Sequence, residues 1–62
     1  MHYTILNATN NEVHKFSTVR KAVAYMKSLK NDTTEPTKDE VIDVCNIFAK
    51  YKNKIAINGV SK

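Results

Sequence analysis

Only one cysteine, Cys45, stands among the 62 residues. Without a second thiol no intrachain disulfide can staple the fold, and an unpaired thiol fits a reducing compartment. The expected location is therefore the cytoplasm. His2 and His14 lie far from Cys45 in the chain, so no Cys/His set with zinc spacing is present. Glycine is equally scarce, with Gly59 alone. A loop that cradles phosphate through its backbone needs several glycines, which sets nucleotide-binding loops aside. No apolar run approaches the ~20 residues of a membrane-spanning helix, and no signal-peptide core follows Met1.

Catalytic groups are present but do not assemble into a constellation. His14 falls beside Phe16 on a strand, where a packing role is expected, because no nucleophile or orienting group can be placed next to it. Cys45 sits in mid-helix on the apolar side, away from the N-terminal turn where a helix depresses a thiol pKa, and is expected in the core. Asp39, Glu40 and Asp43 gather near a helix start, where acids are favourable for structural reasons alone, and no further oxygen ligand is spaced to complete a cation site. The expectation is a protein that is not an enzyme, with no cofactor, no metal, no small-molecule ligand and no membrane contact.

A chain of 62 residues makes one domain. At that length folding hides only about 60% of the surface of the unfolded chain, so stability is marginal. Small domains compensate with disulfides, a metal or oligomerisation. The last of these is the route open here, and a protein partner or a homodimer is expected.

Charge is distributed in blocks. Five basic residues and no acid lie between Lys15 and Lys30, five acids and one lysine between Asp32 and Asp43, and four lysines and no acid from Lys50 onward. The formal net charge is +4. Adjacent blocks of opposite sign can neutralise each other on folding, which leaves less free positive surface than the count implies. Abundant Lys, Asn and Ile fit coding by an AT-rich genome, such as many phages and low-GC bacteria carry; this concerns origin and not activity.

The elements follow in order. Residues 2–7 and 13–16 are rich in strand formers, and Ala8-Thr9-Asn10-Asn11 between them has turn chemistry, giving a hairpin. A loop of two or four residues places Tyr3 and Ile5 on the same face as His14 and Phe16, leaving Thr4, Leu6, Val13 and Lys15 on the other. Ser17 or Thr18 caps a helix over 18–30, with Val19, Ala22, Val23, Met26 and Leu29 as its apolar stripe. The one proline, Pro36, pushes Glu35 out of the helical region and marks the interhelical loop. Thr37-Lys38-Asp39-Glu40 is a capping box opening a second helix over 38–52. Asn53 suits a left-handed helix stop. Ile55-Ala56-Ile57 reads either as a short strand over 54–58, ended by Asn58-Gly59, or as an extension of the second helix. The fold class is α+β, a single domain of order β-β-α-α-(β) with an antiparallel hairpin sheet packed on two helices.

In the second helix Val41, Ile42, Val44, Cys45, Ile47, Phe48 and Tyr51 spread over roughly 200° of the wheel, about twice what an ordinary surface helix buries. One small sheet and one neighbouring helix cannot readily cover that arc. The leading expectation is thus a small regulatory or binding protein acting through protein contacts, with Ile47, Phe48 and Tyr51 as anchors, because aromatic and aliphatic anchors dominate interface energies. The alternative is nucleic-acid binding, with Lys15, Arg20, Lys21, Lys27 and Lys30 on the phosphate backbone. Sequence-specific reading is disfavoured. Arg20 is the one arginine available for a bidentate base contact, and the Asn31–Pro36 link is longer than a helix-turn-helix turn.

Overall fold

The computed structural model describes residues 2–58. Its elements are β1 (Tyr3–Asn7), β2 (Glu12–Phe16), α1 (Val19–Ser28), α2 (Lys38–Lys50) and β3 (Lys54–Ile57). Gly59, expected to help end the last strand, lies outside the described residues.

The hairpin forms because its loop satisfies its own backbone. Asn7 Oδ1 accepts from the Thr9 amide at 3.0 Å, and Asn10 Oδ1 accepts from the Glu12 amide at 3.0 Å. Asn11 takes φ 60°, the left-handed region that Asn tolerates better than most side chains. The four residues 8–11 set the register: Tyr3 faces Phe16 and Ile5 faces His14. One face of the hairpin therefore carries Tyr3, Ile5, His14 and Phe16, as the loop count requires.

Thr18 caps α1, its hydroxyl accepting from the Lys21 amide at 3.2 Å. The capping box of α2 is complete: the Glu40 amide donates to Thr37 Oγ1 at 3.1 Å, and the Thr37 amide donates to Glu40 Oε1 at 2.8 Å. Leu29 is the C-cap of α1, and Asn31 then turns left-handed at φ 59°. At the far end of α2, Lys52 (φ 58°) and Asn53 (φ 66°) are both left-handed, so the helix ends at Lys50, two residues before its expected stop. This double reversal sends the chain back along the sheet, and Ile55-Ala56-Ile57 becomes a strand instead of more helix.

β3 pairs with β1 in parallel, giving the order β2-β1-β3. The sheet is mixed, an antiparallel hairpin with a parallel third strand, and β1 is central. Both helices cover the face that carries Tyr3, Ile5 and Phe16, where Ile5, Val19, Ala22, Val23 and Phe48 form the core. Phe48 and Ile5 are its largest fully buried side chains, and the Phe48 ring stands 5.1 Å from that of Tyr3. The buried line of α2 passes through Val41, Val44 and Phe48. Cys45 is exposed, contrary to the core position expected for it. At about 100° per residue it points some 60° away from Phe48, on the flank opposite Ile47 and Tyr51.

Phe48→Ala is expected to cost about 3–5 kcal/mol. A domain of this length has only about 3–9 kcal/mol in total. Urea denaturation followed by circular dichroism should show the cooperative transition lost or moved near zero denaturant.

Candidate functional site

With Phe48 fixed in the core, its helical neighbours turn to either side of it. Ile47 is 43% exposed and Tyr51 53% exposed, while Phe48 is 0% exposed. Phe48, expected as a surface anchor beside Ile47 and Tyr51, is therefore a core residue. Its side chain points between α1 and the sheet and is closed to any partner.

Ile47 and Tyr51 form one wall of an apolar groove of about 410 Å³. Val44 continues that wall, Met26 of α1 joins from the neighbouring helix, and Ile55 and Ile57 of β3 form the opposite side. Among the described residues Lys54 is the one charged residue in the lining. Lys50 reaches over the Tyr51 ring, its Nζ 5.6 Å from the centroid, near the outer limit of a cation–π contact. Met26 also borders two smaller recesses, one with Val23, Lys30 and Val44 and one with Leu29, Lys30 and Ile57. It is the point where the open surfaces of α1, α2 and β3 meet. Met26 belongs to the α1 stripe, and its spacing alone gives no sign of a groove residue. Beside the groove runs β3, which among the described residues is an edge strand with no strand on its outer side.

The residues expected for nucleic acid do not form one surface. Arg20 donates to Glu35 at 2.8 Å and to the Pro36 carbonyl at 3.3 Å. Lys27 pairs with Glu40 at 2.8 Å and lies 3.9 Å from Asp32, and its side chain is only 12% exposed. The acidic block has folded onto the basic one: Lys27 is paired at a largely buried position, and Arg20 is paired with Glu35 at the exposed surface. Lys21 reaches the Ser17 hydroxyl at 3.4 Å, and Lys30 stays exposed at the end of α1. Lys15 is on β2 opposite Thr4, on the sheet face turned away from both helices.

Glu40 Oε1 accepts from Lys27 Nζ at 2.8 Å and from the Thr37 amide at 2.8 Å. The Lys27 ammonium first, and the Thr37 amide after it, hold the Glu40 carboxyl below its ordinary range. Asp32 is lowered as well, chiefly by the Thr34 hydroxyl at 2.6 Å and then by the Thr34 amide at 2.9 Å, with Lys27 as a lesser cause. His14 packs as its position implied, half-buried, with its ring 4.5 Å from that of Tyr25 and its Nε2 3.1 Å from Glu12 Oε1. Tyr25 accepts a hydrogen bond from Asn7 Nδ2 at 3.3 Å. Among the described residues no group of three His, Cys, Asp or Glu side chains is placed to hold a metal, and no helix is long and apolar enough to cross a membrane.

Because the folded pKa of Glu40 and of Asp32 lies below the unfolded one, both groups contribute stability above the ordinary carboxylate range. That contribution is lost as pH falls below the ordinary carboxylate range and through the lowered folded values. Urea midpoints measured across that window should fall steadily. In Glu40→Gln the fall should be shallower, since one of the two lowered carboxylates is gone.

No family model matches the chain, and no curated protein or solved structure matches it either.

Proposed function

We propose that this chain is a small non-enzymatic binding protein that takes an extended segment of another protein into the α2–β3 groove. The single observation that carries this reading is the adjacency of an apolar groove of about 410 Å³ to the free edge of β3. An incoming strand gains main-chain hydrogen bonds from such an edge, and pockets for its alternate side chains supply selectivity. Ile47 and Tyr51 are the anchors on the protein side. Removing them from water on binding offsets part of the cost of ordering the segment.

Charge favours an acidic partner over a second copy of the chain. Lys54 lines the groove and Lys50 stands over Tyr51, whereas among the described residues no acid lines the groove itself; Glu40 and Asp43 border only the neighbouring recess, with Lys27 and Lys30. A second identical surface would bring more lysine and no carboxylate to that lining. A segment with apolar residues at alternate positions and Asp or Glu at its ends satisfies both the groove and its rim. The role is regulatory in the sense that occupancy of a groove, not turnover of a substrate, is the output.

Selection from a random peptide library against the full chain is expected to return sequences of that pattern. Tyr51→Ala should weaken the selected peptides by about tenfold or more while leaving the unfolding transition cooperative. Selected peptides that are basic, or that bind Tyr51→Ala as well as the parent, would overturn the reading. So would a sedimentation experiment at micromolar concentration showing a dimer that Tyr51→Ala dissociates, since the groove would then belong to a second copy.

A further inference from the structure

We infer that the open face of the sheet is a second contact surface, for the phosphate backbone of double-stranded nucleic acid, carried by Lys15, Lys52 and Lys54. Both helices lie on one side of the sheet, and among the described residues no layer covers its other side. The pleat turns Thr4 outward, and the registers place Lys15 of β2 and Lys54 of β3 on either side of it. With strands ~4.8 Å apart, the two lysine Cα atoms are roughly 10 Å apart, held by the ladder and not by a flexible loop. Lys52 joins them from the left-handed turn ahead of β3. Together with His2, Thr4 and Asn53, the three lysines border a shallow concavity of about 440 Å³ that no acid lines among the described residues.

These lysines differ from the paired cations of α1, Arg20 and Lys27. Lys21 and Lys30 are likewise outside any ion pair among the described residues, but they do not border this concavity. Among the described residues, Arg20 and Lys27 are in ion pairs, while Lys15, Lys52 and Lys54 are in none. Their charge is free to neutralise an external anion. A duplex suits this surface better than a single strand. Single strands are held by aromatic platforms. Here Tyr3 and Phe16 pack on the helix side with the core, and Tyr51 lines the groove. An anionic bilayer takes up apolar area as well as charge, and the apolar residues of this face are Leu6, Val13 and Ala56, side by side across the ladder, with Val13 exposed. With no arginine in the cluster, a bidentate contact to guanine is absent and binding is expected to be indifferent to sequence.

The test is fluorescence anisotropy of the full chain with a random-sequence DNA duplex, titrated from about 50 mM salt upward. Three phosphate contacts predict a slope of log Kd against log salt of about 2.7. Lys15→Gln combined with Lys52→Gln should weaken binding at least tenfold at the lowest salt and reduce the slope by about 1.8. Lys15→Arg with Lys52→Arg should restore both, and circular dichroism of these exposed variants checks the fold. Arg20→Gln with Lys21→Gln, and separately Tyr51→Ala, should leave duplex binding unchanged, which separates this surface from α1 and from the groove. Absence of binding at the lowest salt overturns the inference. A slope that responds to the α1 pair and not to the sheet pair does so too, as does tighter binding to phosphatidylserine vesicles, polyglutamate or single-stranded DNA than to the duplex.

Discussion

The burial of Phe48 constrains everything else α2 does. It is the buried residue of that helix, and with Ile5 it fills the space between α1 and the sheet. Burying such a ring is worth about 1.5–3 kcal/mol, a large share of what a domain this small can hold. Once that ring is inward, the rotational setting of α2 is fixed. Ile47, about 100° away, must then stand at the border of the helix, and Tyr51, about 60° away on the same flank, joins it one turn later. Cys45 and Ile42 are carried to the opposite flank and left in water. The apolar arc of α2 is wider than the ledge it sits on, and the phase set by Phe48 decides which side overhangs β3.

Charge follows a related economy of place. The basic stretch ends in α1, the acidic stretch forms the loop and first turn of α2, and the chain reverses between them. Lys27 consequently meets the carboxylate that already completes the α2 capping box, so one Glu40 oxygen serves both the cap and the contact between helices. Hydrogen bonds to a charged group are stronger than neutral ones, and the low exposure of Lys27 reduces screening by solvent. Among the described residues the lysines left without an ion pair include Lys15 on β2 and Lys52 and Lys54 around β3, and also Lys21 and Lys30 beside the seam.

Local chemistry was legible in the residues, and non-local chemistry was not. The four-residue Ala8–Asn11 loop fixed the register of the hairpin, Thr18 and Thr37 marked the helix starts, and Asn53 marked a left-handed stop, because each acts within a few residues of itself. The neutralisation of Arg20 and Lys27 was foreseeable from the order of charged blocks. Three things were not. Whether Ile55-Ala56-Ile57 joins the sheet depends on Lys52 as well as Asn53 turning left-handed, and lysine carries no signal for that. The wheel of α2 shows the width of its apolar arc but not its centre, so Phe48 and Cys45 exchanged their expected places. Lys15 was grouped with α1 by nearness in sequence, although the pleat turns it to the far side of the sheet.

Lys54 stands where the two exposed surfaces meet, and its position has a physical consequence for both. It lines the α2–β3 groove and also borders the concavity on the open sheet face. Because β3 is an edge strand, its side chain can lean toward either surface. A segment paired along β3 would convert that edge into an interior strand and put new side chains beside Lys54. On the proposed reading those flanking side chains are carboxylates, and at close range they take up the charge that a phosphate would otherwise use. The two contacts are then coupled through one ammonium group, and linkage requires each to weaken the other by the same factor.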